Sequence, residues 1–201
     1  AIEKKVFSEN ENPSLSAKNL KPEILNEIKD YYLKKIEIYK HGKKYLIDKA
    51  PLNFKWIGFI MAIFPNSKII HCTRDPMATC WSSYKNTFSS KSMNYTYDFD
   101  DLAGFYKAYN DFIKFWIKKF DNNIFNMSYE NLVSNKELET KKILKFCGLD
   151  WDENCLNFHK NKRSVSTASL AQVRQPLYTS SLEKWKNYSK NLDTLKKKLI
   201  N

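Results

Sequence analysis

Apolar residues recur at helical spacing in KPEILNEIKDYYLKKIEIYKHG (21–42), with Pro22 near the front and Gly42 just past the end, so the pattern predicts a helix. KYLID (44–48) predicts a short strand, and NFKWIGFIMAIF (53–64), nearly all apolar, a helix stopped by Pro65. SKIIHCT (67–73) is apolar but too brief for a helix, and reads as a buried parallel strand. Asp75 and Pro76 then supply an N-cap and a proline at the first helical position, opening a helix to Phe88. KSMNYTY (91–97) reads as a polar loop. Asp98 caps a long amphipathic helix, DFDDLAGFYKAYNDFIKFWIKKF, whose aromatic stripe belongs to the core. NIFNM (123–127) is a third strand, SYENLVSN a turn or short helix, and KELETKKILKFCG a helix ended by Gly148. The tail is helical at both ends of an irregular stretch, 163–180. Strand alternating with helix argues α/β, a single domain over residues 1–201 with a parallel sheet flanked by helices.

Composition narrows the classes. The 201 residues are 42% hydrophobic, enough to fill one core. No apolar run approaches the ~18 residues of a membrane span. The opening AIEKKVFSENENPS is polar, without the apolar segment of a signal peptide and without an initiator Met, which suggests a truncated start. Cys72, Cys80, Cys147 and Cys155 form no CxxC pair and no metal spacing with the three histidines; they read as reduced, mostly buried thiols of a cytoplasmic protein that binds no metal. The net charge of +12 comes from 31 lysines scattered along the helices, alongside 20 asparagines. Scattered lysines read as solvated helix faces, so no nucleic-acid partner is expected, although the positive field favours an anionic ligand.

Against that background arginine stands out, with only Arg74, Arg163 and Arg174 in the chain. Arg74 sits in IIHCTRDPMATCWSSY, at the carboxyl end of a predicted strand and directly before a helix N-terminus, where parallel sheets place their ligands. Ser82 follows eight residues later. A planar guanidinium and a hydroxyl beside a helix N-terminus suit a phosphate. The same pair equally suits a structural reading, with Arg74 paired to Asp75 or capping a helix and Ser82 facing the core. Lys49, in IDKAP, follows another strand candidate and could stabilise charge on a transferring group, or be a solvated loop lysine. Tyr129, after NIFNM, could stack or hydrogen-bond at the same edge.

The stretch IDKAPLNFKWIGFIMAIFPNSKIIHCTRDPMATCWSSY resembles the central region of the PAPS-dependent sulfotransferases, in particular the bacterial ones often fused to tetratricopeptide repeats and the tyrosylprotein sulfotransferases. The resemblance implies a P-loop NTPase-like sulfotransferase fold and transfer of a sulfuryl group from PAPS (3′-phosphoadenosine 5′-phosphosulfate) to an acceptor hydroxyl or amine, releasing PAP. It places Arg74 and Ser82 on the pair that grips the 3′-phosphate, and Lys49 on the catalytic lysine of D-K-x-P. SYENL resembles Y-E-x-L, whose tyrosine lies by the adenosine, at Tyr129. SLAQVRQPLYTSSLEKW resembles the segment that closes over the nucleotide, with Ser169 and Lys184 on its contact positions and Ser169 near the transferring group. These matches run in order over residues 44–187. A basic residue that some members place four positions after the serine is Asn86 here.

The front of the chain departs from the family. Its 5′-phosphosulfate loop, of the form P-R-S-G-T-T, needs glycine, and the first of the four glycines here is Gly42. The usual glutamate base has no counterpart either; His41, His71 and His159 do not match a catalytic histidine. The sequence is expected to lack the first strand, loop and base, as a truncated sulfotransferase of low or no activity. The alternative is an inactive homologue serving as a nucleotide- or polyanion-binding domain. The acceptor (peptide, sugar or small molecule) is not legible, and a tetratricopeptide region in the full-length protein is compatible with the resemblance.

Overall fold

The computed structural model describes residues 21–161, 173–177 and 180–200. They divide into two compact units, one ending at Ser67 and the other beginning at Lys68.

In the first unit, α1 (Pro22–Lys40) begins with Pro22 and closes with His41 in the left-handed region at φ 47°, followed by Gly42 at φ 69°. Glycine tolerates that backbone without a Cβ penalty, so the helix stops where the sequence indicates. The predicted strand at 44–48 does not form. Ala50 keeps extended dihedrals, but no strand among the described residues offers this segment a ladder, and Ile47 is 91% exposed. The segment is fastened from the side instead. The Tyr32 hydroxyl on α1 donates to Asp48 Oδ2 at 2.7 Å, while the Tyr32 ring packs 5.4 Å from Phe64. The apolar run that follows also differs from expectation: a 3₁₀ turn at Pro51–Trp56 precedes α2 (Ile57–Ile63). Pro51 starts the turn, and Pro65 disfavours helical backbone at Phe64.

The second unit holds two parallel strands, β1 (Ile69–Thr73) and β2 (Ile124–Ser128), in the register Thr73↔Ser128. Side chains alternate between the faces of a strand, so His71 and Asn126 share one face and Phe125 takes the other. Helix α3 (Pro76–Tyr84) leaves β1, and α4 (Phe99–Lys119) returns the chain to β2. After β2 come α5 (Tyr129–Ser134) and α6 (Lys136–Cys147), which ends at Gly148 with φ 66°. Phe146 of α6 packs 5.3 Å from Phe125, while Tyr109 of α4 meets His71 on the opposite face. The fold is therefore α/β, a parallel pair flanked by helices. The expected polar loop at 91–97 is a 3₁₀ segment whose fully buried Thr96 donates to the Met93 carbonyl at 2.8 Å.

A short helix α7 (Ser180–Glu183), a 3₁₀ turn (Lys184–Tyr188) and α8 (Asp193–Ile200) finish the chain. Leu192 and Leu195, 1% and 0% exposed, close a core with Met77 and Cys80 of α3 and Leu102 and Ala103 of α4. Each buried leucine contributes about 2 kcal/mol of apolar transfer, so the tail is part of this core. No helix of the described residues is long and apolar enough to cross a membrane.

Candidate functional site

Because β1 and β2 are parallel and end in register, the residues that follow them emerge at one edge: Arg74 and Asp75 after Thr73, Tyr129 and Glu130 after Ser128. The Thr73 hydroxyl donates to the Met127 carbonyl at 3.1 Å, tying the two strand ends. The Arg74 guanidinium carbon lies 5.2 Å from the centroid of the Tyr129 ring, and its Nε is shielded from solvent. A guanidinium at that distance from a phenol ring gains cation–π attraction.

Asp75 accepts from the Ala78 amide at 2.7 Å, and so caps α3 as its sequence position indicates. Ser82 stands half-buried six residues into α3, roughly 9 Å along the axis from Pro76. Its carbonyl accepts from the Asn86 side chain at 2.6 Å, so Asn86 finishes the helix.

Glu130 was not singled out from sequence, yet it spans the edge. Oε1 accepts from the Asp75 amide at 2.8 Å and Oε2 from the Ser128 hydroxyl at 2.9 Å. The Ser128 hydroxyl in turn accepts from the Asn131 amide at 3.2 Å and caps α5. Partial burial is the largest influence on the Glu130 carboxyl and raises its pKa. Donation from the Asp75 amide, its own amide and Ser128, with the Arg74 charge, outweighs burial and holds it below the ordinary 4.5.

Beneath the edge, His71 joins the strands to α4. Nδ1 lies 2.5 Å from Asn126 Oδ1 and Nε2 2.5 Å from the Tyr109 hydroxyl. Burial lowers the His71 pKa, opposed by the Asn126 hydrogen bond. The neutral ring thus donates through Nδ1 and accepts through Nε2. Cys80 on the inner face of α3 is pushed up to about 12, first by burial and then by the Asp75 charge, so its thiol is inert.

Lys184 is exposed at the start of the 3₁₀ turn, and the next residue explains its placement. Trp185 packs on the core beneath α3, and Tyr188 lies 4.7 Å from Trp81 of α3. The tail carrying Lys184 is thus docked on the helix carrying Ser82. Lys49 lies exposed in the first unit, in the extended segment that Tyr32 fastens through Asp48. Ser169 lies outside the described residues. All four cysteines are free, but only Cys80 is buried; Cys72 is exposed and Cys147 and Cys155 half-buried, which corrects the expectation of mostly buried thiols.

A profile of the Sulfotransferase family matches residues 4–153, a span that includes Lys49, Arg74, Ser82 and Tyr129 but neither Ser169 nor Lys184. The chain belongs to this family of transferases. It is 33% identical over 171 residues to an uncharacterized protein of Aquifex aeolicus, covering 84% of this chain and 22% of that protein. It is 26% identical over 157 residues to protein-tyrosine sulfotransferase 2 of Gallus gallus, covering 74% of this chain and 42% of that one. Against protein-tyrosine sulfotransferase 1 of Homo sapiens it is 26% identical over 189 residues, 89% and 50% of the two chains. The chain thus spans half or less of the length of each of these relatives.

Proposed function

We propose that the chain binds the 3′-phosphoadenosine end of PAPS and takes part in sulfuryl transfer to an acceptor hydroxyl or amine, releasing PAP. The observation that carries this reading is the Arg74 guanidinium, set over the Tyr129 ring at the in-register ends of two parallel strands and one residue before the N-cap of α3. Arg74 and Ser82 hold the 3′-phosphate, Tyr129 lies against the adenosine, and Lys184 and Ser169 close over the nucleotide. Lys49 neutralises the bridging oxygen as the sulfur–oxygen bond to PAP breaks and the bond to the acceptor oxygen or nitrogen forms. The acceptor's proton leaves to a base. Such chemistry asks the protein mainly for positioning and charge stabilisation. Two relatives are named protein-tyrosine sulfotransferases, which makes a tyrosine hydroxyl the first acceptor to try.

Gly42 is the first glycine of the sequence, so no stretch before Lys49 supplies a glycine-rich cradle for the 5′-phosphosulfate. We therefore expect the 201-residue chain alone to transfer slowly or not at all while retaining nucleotide binding. The same observation favours the second reading, an inactive nucleotide- or polyanion-binding domain. Titration with PAP and with a heparin-like polysulfate, each at two salt concentrations, separates the readings. The first predicts PAP binding that Arg74→Ala weakens. Polysulfate binding that falls steeply with salt and ignores Arg74, with no PAP binding, refutes it. Robust sulfation by the chain alone, lost in Lys49→Ala, contradicts the expectation of low activity.

A further inference from the structure

We propose that Glu130 is a positioning residue for the phosphate-binding arginine, a strut that fixes the backbone after Arg74 to the end of β2. The inference rests on the nucleotide reading above. Three observations carry it. First, the amide that Glu130 accepts belongs to Asp75, the residue directly after Arg74, so the hydrogen bond restrains the peptide from which the guanidinium departs. Second, the other carboxylate oxygen is held by Ser128, the last residue of β2, so the strut is anchored and not a swinging side chain. Third, the neighbouring Tyr129 carries the ring beside the guanidinium. The first two residues of α5 thus grip Arg74 twice, Tyr129 at the side chain and Glu130 at the peptide that follows it.

The strut has a second consequence. Asp75 has its carboxylate on the Ala78 amide and its own amide on Glu130. The turn between β1 and α3 is therefore pinned from both sides, which sets where α3, and with it Ser82, begins. Glu130 touches neither phosphate nor reacting atoms in this role. It acts through Arg74 and through the start of α3.

The test compares adenosine 3′,5′-bisphosphate with adenosine 5′-monophosphate, titrated calorimetrically into the full 201-residue chain. The ratio of the two affinities reports the 3′-phosphate contact alone, whereas general destabilisation lowers both equally. Removing a carboxylate near the site strengthens binding of every anion, which Glu130→Asp controls for by keeping the charge while shortening the reach. The expected result is a ratio reduced about tenfold in Glu130→Ala and about fivefold in Glu130→Asp. Glu130→Gln, which still accepts from the Asp75 amide, stays within about threefold of the unaltered chain. A ratio within twofold of the unaltered chain in Glu130→Asp overturns the proposal, and this variant carries the test if Glu130→Ala fails to fold. Arg74→Ala runs alongside: if it leaves the ratio intact, the nucleotide reading itself fails. If it collapses the ratio while Glu130→Ala and Glu130→Asp preserve it, only the strut fails.

Discussion

Replacing Arg74 by lysine keeps the positive charge and removes the shape. The guanidinium sits 5.2 Å from the Tyr129 ring centroid, a placement that limits its freedom before any ligand arrives. A planar fork held in that way makes two parallel hydrogen bonds to a phosphate, and an ammonium makes one from a point charge. Losing one charge-assisted hydrogen bond costs about 1.5 kcal/mol, toward the low end for such bonds. Ordering a freely rotating lysine stem costs about 0.5 kcal/mol more. The sum, about 2 kcal/mol, corresponds to roughly thirtyfold weaker PAP binding. Calorimetric titration of PAP into both forms measures it, with thermal melts to verify that the fold is unchanged. Binding of PAP to Arg74→Lys within threefold of the unaltered chain refutes bidentate recognition and leaves only general electrostatic attraction.

Two further outcomes follow from burial. Leu195, 0% exposed at the meeting of α8, α3 and α4, should cost 2–5 kcal/mol on replacement by alanine, as deletions of buried leucine do in close-packed cores. Urea unfolding checks it, and a loss below about 1 kcal/mol means that the tail does not close the core. Burial holds the His71 pKa below its ordinary 6.5, so as pH falls through 6.5 the unfolded chain takes up a proton that the folded one resists. The unfolded state then binds more protons, and stability falls between about pH 7 and 5. His71→Gln should flatten that part of the stability–pH curve, and an unchanged slope places His71 outside the buried network.

Much of the architecture is legible in the sequence because it is set by local signals. Pro22 and the His41–Gly42 turn bound α1, Asp75–Pro76 opens α3, Asp98 opens α4, and Gly148 ends α6. Each is a cap or a backbone requirement that one or two residues satisfy. The strand expected at 44–48 does not form because a strand depends on a partner. KYLID has the composition, but among the described residues no neighbouring strand pairs with it. Arg74 and Tyr129 were legible as separate strand-end residues, and their approach became visible only once the register Thr73↔Ser128 brought the two ends level. Glu130 falls on the glutamate of the Y-E-x-L resemblance, but its role is not legible there, because its partners, the Asp75 amide and the Ser128 hydroxyl, carry no side-chain signature of a shared role. Trp185 had a signal, since an aromatic residue directly after a candidate contact lysine can anchor it. The packing of Trp185 on the α3–α4–α8 core gives that signal its meaning.

The most direct measurement is a crystal structure of the chain grown with PAP. The account predicts 3′-phosphate oxygens within about 3 Å of both the Arg74 guanidinium and the Ser82 hydroxyl, with the adenosine against Tyr129. A nucleotide bound elsewhere, or one whose 3′-phosphate points to solvent while Arg74 stays engaged with the protein alone, contradicts it.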